Sequence, residues 1–148
     1  MHFVVDTSVL AKVFLAEPER ELVDELLQAS IEGNVTLLAP SLLLYELNNV
    51  LVSNGIRGDE YAEAIASLMR WVRAKVIDIA EVNEERLRQA EAIASVDTQG
   101  QGHISSFDAT FHALALMRDA TFLTSDQTYV RKTKSLLGSV ELLQDLKI

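Results

Sequence analysis

Four acidic side chains stand where solvation alone gives little reason for a charge: Asp6, Glu46, Asp108 and Asp126. Asp6 ends the apolar run Phe3-Val4-Val5, and Asp126 follows the short run Thr121-Phe122-Leu123-Thr124. Glu46 interrupts an apolar segment between Tyr45 and Leu47, and Asp108 opens a helical pattern. Burying one carboxylate without a partner is costly, and grouping several adds mutual repulsion. A divalent cation removes both costs. Mg2+ favours a few carboxylates together with retained waters and phosphate oxygens. The chemistry such a group supports is metal-assisted phosphodiester hydrolysis, in which ions activate a water, orient the phosphate and stabilise the leaving oxygen.

Each acid also has a plainer reading. Asp6 can cap the helix that follows it, and Ser105-Ser106-Phe107-Asp108 has the Ser-x-x-Asp form of a capping box. Asp126 can start a turn, and Glu46 can pair with a Lys or Arg along its helix face. An Asp-nucleophile phosphatase would place Asp-x-Asp after the first strand, whereas this chain has Asp6-Thr7-Ser8.

The elements that must position these acids alternate along the chain. Phe3-Val4-Val5 reads as a strand buried on both faces, with Thr7-Ser8 capping a helix from about Val9. Pro18 opens an amphipathic helix to about Ile31, with Leu22, Leu26 and Leu27 on one side and Gly33 beyond its end. A strand over 35–39 follows. Pro40-Ser41 then introduces a helix to Ser53 that carries Glu46 among Leu42, Leu43 and Val50. A helix over 59–74, a strand over 76–79 and a helix over 84–95 come next. Residues 96–103, VDTQGQGH, form the longest Gly- and polar-rich break and read as a mobile loop. Phe107, Phe111 and Leu114 recur at i, i+4 and i+7, which predicts a helix with those residues facing a core. A strand over 121–124, a short helix over 127–134 and a strand over 139–143 complete the chain. Strands alternating with helices from end to end predict an α/β sandwich with a mainly parallel sheet, where sites gather at the carboxyl ends of strands.

With 148 residues and 49% hydrophobic composition, the expectation is one domain spanning 1–148. Absence of cysteine excludes disulfides and thiolate metal sites, and three scattered histidines argue against zinc. The segment from Met1 to Asp6 lacks the basic start and apolar core of a signal peptide. No run approaches the ~20 apolar residues of a membrane span. A cytoplasmic protein is expected.

Taken together, VVDTSVL at 4–10, PSLLLYELNNVL at 40–51, SFDATFHALAL at 106–116 and FLTSD at 122–126 resemble the PIN-domain ribonucleases. The likeness is greatest to the VapC-type toxins of toxin–antitoxin pairs, and the motifs run in the family's order over nearly the whole chain. The resemblance implies a three-layer α/β/α sandwich, one or two Mg2+ or Mn2+ ions at the acidic cluster, and endonucleolytic cleavage of RNA. By position, Asp6 and Asp108 match the principal metal ligands and Glu46 a third acid, ligating directly or through water. Asp126 matches a fourth, serving a second ion or orienting the attacking water. Thr7 and Ser125 stand beside ligands as hydrogen-bonding candidates. Partners implied are an RNA substrate, a cognate antitoxin and a second copy in a homodimer.

Departures from the family pattern accompany the likeness. Thr128 stands where another acid is often found, which leaves the second ion open. His112 replaces a usually apolar residue one turn after Asp108, and it reads as a partly buried or surface histidine ahead of a proton shuttle. The 96–103 loop reads as a substrate- or partner-facing insertion.

The formal charge of −9 repels a polyanion in bulk, so RNA contact needs metal ions or a local basic patch. Lys12, Arg131, Lys132 and Lys134 are the candidates for RNA phosphates, with ordinary solvated charge as the alternative. Arg70, Arg73 and Lys75 form a second group. A basic antitoxin segment would suit the same acidic cleft. Trp71 and Tyr61, on the 59–74 helix, belong either to the core or to a dimer or antitoxin groove. Two other functions compete with a toxin: an RNA-processing or quality-control nuclease, and a catalytically silent interaction module. The four acids weigh against the silent module, which has no reason to keep repelling carboxylates together.

Overall fold

Phe3, Val4 and Val5 are all buried, as a strand covered on both faces requires. They belong to β1 (His2–Val5), the centre of a five-stranded sheet in the computed structural model, which describes residues 1–148. The other strands are β2 (Thr36–Pro40), β3 (Asp78–Ala80), β4 (Thr121–Thr124) and β5 (Val140–Leu142). Their order is β3-β2-β1-β4-β5, and every neighbouring pair is parallel. Seven helices cover the sheet: α1 (Thr7–Leu15), α2 (Arg20–Ile31), α3 (Leu42–Ser53), α4 (Gly58–Arg73), α5 (Glu84–Ala94), α6 (Ser106–Met117) and α7 (Gln127–Leu137). α1 packs on α2 and α3, while α5 packs on α6, which lies against β1, β2 and β4. The result is the expected α/β/α sandwich.

The chain steps outward from β1 to β2 and β3, then returns to lay β4 on the other side of β1. The direction of winding therefore reverses between β1 and β4, where open parallel sheets form a crevice beyond their carboxyl ends. Asp6 follows β1 and Asp126 lies two residues past β4, so both acids stand at that crevice. The backbone N–H of Asp6 donates to the Leu123 carbonyl at 2.9 Å, which extends the β1–β4 pairing up to the acid itself.

Several local expectations shift. β3 begins two residues later than its apolar run, because Val76 and Ile77 are buried in the turn that closes α4. α1 starts at Thr7, ahead of the expected Val9. On α3 the stripe that reaches the core is Leu43, Leu47 and Leu51; Leu42 and Val50 are only partly buried. Glu46 lies one residue off that stripe and keeps partial access to solvent. α6 buries Phe111 and Leu114 as expected, but Phe107 is 59% exposed. The enclosed face of α6 is completed by Ala109, Ala113 and Ala115, whose small side chains let the helix approach the sheet. Trp71 is packed against the core with its ring 5.6 Å from that of Phe14, and the Tyr61 hydroxyl donates to Asn48 Oδ1 on α3. Both aromatics thus serve internal packing of α4. Residues 96–103 form an irregular turn closed by its own bonds, including Thr98 Oγ1 to the Gly102 carbonyl.

Candidate active site

Asp6 is held by Ser8, expected only as a helix cap, and by Thr124, which sequence reasoning did not single out. Ser8 Oγ donates to Asp6 Oδ2 at 2.7 Å, and Thr124 Oγ1 donates to the same oxygen at 2.8 Å. Each hydroxyl oxygen also accepts a backbone amide: Ser8 Oγ takes the Ser125 N–H from beyond β4, and Thr124 Oγ1 takes the Asp126 N–H two residues on in its own segment, both at 3.1 Å. The ends of β1 and β4 are thereby laced together around one carboxylate. Glu46 is fixed from α1, since Thr7 Oγ1 donates to Glu46 Oε1 at 2.8 Å. Asp108 sits in the first turn of α6, where its N–H donates to Ser105 Oγ at 3.0 Å in the N-cap arrangement. Asp126 caps α7, with Oδ1 accepting from Tyr129 N–H at 3.1 Å. Helix capping and a place at the crevice therefore coexist for Asp126, whereas Asp108 is the residue capped, by Ser105.

The carboxylates feel one another. Burial holds Asp6 above the usual carboxylate range, repulsion from Asp108 adds to this, and the Ser8 and Thr124 hydroxyls oppose it. Glu46 is raised by burial and by Asp6 and Asp108, against the pull of Thr7. Asp108 is raised by burial and by Asp126, with Ser105 and Lys132 acting the other way. None of the four joins an ion pair. No three acidic or histidine side chains converge into a ready-made metal shell. A hard divalent cation that keeps several waters would need only one or two direct carboxylates. Ser125 Oγ is buried at the crevice without a hydrogen-bond partner. An orphaned hydroxyl among unpaired carboxylates, with oxygen the only donor type, suits a hydrated hard cation.

The PIN domain model matches residues 3–135. The chain belongs to the PIN-domain family. No curated protein matches it. Among solved structures, VapBC2 from Rickettsia felis, bound to a DNA fragment from its promoter, is 15% identical with TM-score 0.70, covering 96% of this chain and 98% of that one. Mycobacterium tuberculosis VapC20, a sarcin-ricin loop cleaving toxin, is 17% identical with TM-score 0.65, covering 88% and 95%. FitAcB from Neisseria gonorrhoeae is 20% identical with TM-score 0.61, covering 97% and 99%. At these identities the likeness is one of fold.

Two of the four basic candidates in this PIN chain already have partners. Lys12 Nζ lies 3.0 Å from Glu19 Oε2 with its side chain only 12% exposed, and Lys132 Nζ donates to the His103 carbonyl at 2.6 Å. Arg131 and Lys134 are exposed on α7. Arg70 and Arg73 stand in the last turn of α4 and Lys75 just beyond it, before the amino end of β3 and so at the opposite end of the parallel sheet from the acids.

His112 is wholly enclosed, beyond the partial burial expected of it. Its Nε2 stands 2.8 Å from the Gly138 carbonyl, which only accepts, so Nε2 carries the proton. Nδ1 then accepts from the Tyr129 hydroxyl at 2.8 Å. Burial keeps this imidazole below its ordinary range, hence neutral. It joins α6 to α7 and the start of β5 and makes no hydrogen bond to any of the four acids.

Phe107 instead faces an apolar cavity of about 420 Å3 between the start of α3, the end of β3, α5 and α6, alongside Leu42, Val82 and Leu87. No helix is long and apolar enough to cross a membrane.

Proposed function

We propose that this PIN-domain protein is a metal-dependent endoribonuclease that hydrolyses RNA phosphodiester bonds, acting as the toxin of a toxin–antitoxin pair. What supports the reading most is the pairwise repulsion that links Asp6, Glu46, Asp108 and Asp126 around the β1–β4 crevice, with no ion pair to neutralise them. Asp6 and Asp108 would hold a Mg2+ or Mn2+ ion, with Glu46 ligating directly or through water. Asp126 would serve a second ion or orient the attacking water, since capping occupies only its Oδ1. A bound ion supplies an activated water and stabilises the leaving oxygen.

The chain's own groups prepare that site. Ser8 and Thr124 direct both their protons to Asp6 Oδ2 and so set the plane of the carboxylate. Thr7 orients Glu46 from across the α1–α3 contact. Ser125 Oγ is available to a metal-bound water. Arg131 and Lys134, exposed on α7 after Asp126, are the side chains best able to take RNA phosphates without first breaking an existing contact.

The structural neighbours support partner and substrate classes. VapC20 is a sarcin-ricin loop cleaving toxin, and the Rickettsia felis protein is a VapBC complex. A formal charge of −9 favours capture by a basic antitoxin segment, whose Arg or Lys would stand in for the metal's charge. Val82, Leu87 and Phe107 are each more than half exposed around one apolar cavity, which supports a homodimer. Sedimentation equilibrium tests that point.

The deciding experiment is cleavage of a structured RNA pool by purified protein with Mg2+ or Mn2+, with EDTA, and with Asp108→Asn. Cleavage that requires the metal and disappears in the variant supports a nuclease. A small adjacent gene for a DNA-binding protein separates a toxin from an RNA-processing enzyme. Equal inertness of wild type and variant, with no calorimetric signal for metal binding, favours a silent interaction module.

A further inference from the structure

We propose that Lys132 is a positioning residue that clamps the start of α6, and with it Asp108, onto α7. Its ammonium donates to the backbone carbonyl of His103 at 2.6 Å. His103 lies two residues before Ser105, whose hydroxyl caps α6 by accepting the Asp108 N–H. Lys132 therefore grips the segment that leads into the cap, on the side opposite the covalent continuation of the helix.

The anchor itself is rigid. The Lys132 ammonium lies 5.9 Å from the centroid of the Tyr129 ring, close enough for a cation–π attraction. Tyr129 is 2% exposed, its ring packs edge-on against Phe122, and its hydroxyl is held by His112. His112 is held in turn by the Gly138 carbonyl. A buried chain of contacts thus runs from the turn after α7, through His112 and Tyr129, to the ammonium that holds the entry to α6.

The need for such a grip follows from charge. Asp108 and Asp126 repel, and they stand at the starts of α6 and α7 respectively. Asp126 is tied to the end of β4 through Thr124, whereas Asp108 is preceded by the irregular 96–105 segment. Without a tie, the repulsion would open the α6 start away from α7. Lys132 opposes that opening mechanically through His103. It does so electrostatically as well, since its charge draws on the Asp108 carboxylate. This differs from a phosphate-binding role, which would require the ammonium to leave the carbonyl.

The clamp stands on the structure alone; its catalytic consequence rests on the nuclease reading. Amide hydrogen exchange of the full-length protein tests the clamp directly. Lys132→Met should raise exchange at the Asp108 amide by about tenfold or more while β1 and the first turn of α7 keep wild-type protection, and Lys132→Arg should restore it. Lys132→Gln, too short to reach the carbonyl, replaces the Met variant if the latter loses global protection. Unchanged exchange at Asp108 in a folded variant overturns the clamp. On cleavage, Lys132→Met should lower kcat about tenfold with KM and salt dependence unchanged. A raised KM, unchanged kcat and a log–log salt slope smaller by roughly 0.7 would assign Lys132 to an RNA phosphate and overturn the proposal. If the wild type cleaves no RNA, the nuclease reading fails while the exchange result still decides the clamp.

Discussion

Replacing Asp6 by Asn should abolish cleavage and make the metal-free protein more stable. Asp6 accepts two hydroxyl bonds on Oδ2, at 2.7 and 2.8 Å. An Asn carbonyl can accept the same two hydroxyl bonds, so the variant loses the ionic part of each, about 1 kcal/mol apiece, along with the carboxylate's attraction for the Thr7 backbone N–H. Against this stands the effective penalty of burying an ion, several kcal/mol, with repulsion from Asp108 added. Burial is the largest influence on this carboxyl and holds it above its ordinary range despite both hydroxyls. The balance is a gain of roughly 1–3 kcal/mol. At about 3 °C per kcal/mol for a domain of this length, Tm should rise by about 3–9 °C in EDTA. Saturating Mg2+ should erase most or all of that advantage and reverse the order where the advantage is below about 2.7 kcal/mol, the amount that an ion at 100 times its Kd adds to a protein that binds it. Differential scanning fluorimetry of both proteins, with EDTA and with Mg2+, measures all four values. A lower Tm for the variant in EDTA would show that the carboxylate is a net structural asset and refute the reasoning.

Three further outcomes follow from the same geometry. Tyr129→Phe leaves the enclosed Nδ1 of His112 without its donor, and shifting the imidazole proton to Nδ1 would instead abandon the Gly138 carbonyl. Urea unfolding should register a loss of about 1–3 kcal/mol. His112 supplies a distinct pH signature, since burial lowers its folded pKa below the ordinary 6.5. The unfolded chain then binds the extra proton, so stability is complete above about pH 6.5 and falls, as pH drops towards the folded value, by up to ~1.4 kcal/mol per unit. The raised carboxyls of Asp6, Glu46 and Asp108 act in the opposite sense, gaining stability as pH falls through their folded values towards the unfolded ones. Urea midpoints at pH 7.5 and 5.5 for wild type and His112→Phe isolate the histidine, and equal slopes would contradict its burial as a neutral ring. Thr7→Val removes the donor to Glu46 Oε1 and leaves the carboxylate free to rotate. Cleavage should fall about tenfold with little change in Tm, and unchanged kinetics would mean that Glu46 needs no orientation from α1.

What could be read from the chain alone was local. Apolar runs ending on Asp6 and shortly before Asp126 marked β1 and β4, and the Ser-x-x-Asp pattern marked the start of α6, because strand burial and helix capping depend on neighbours a few residues apart. Alternation of strands and helices sufficed for the parallel sheet, since parallel strands require crossovers. The placement of Asp6, Glu46, Asp108 and Asp126 against apolar segments singled them out, and the family motifs then gave each an expected role. Partnerships across the fold were invisible. Thr124 looked like an ordinary β-branched strand residue, yet parallel pairing of β1 with β4 brings its hydroxyl to Asp6, 118 residues away. Ser8 was read as a cap, and its role as a bridge between Asp6 and Ser125 exists only once the two strand ends meet. Lys12 and Lys132 looked like free charges because an ammonium carries no sign in the sequence of the carboxylate or carbonyl it will find. His112 and Phe107 exchanged expectations for the same reason. Helical spacing states which residues share a face, but only the sheet and the neighbouring helices decide which part of that face is covered.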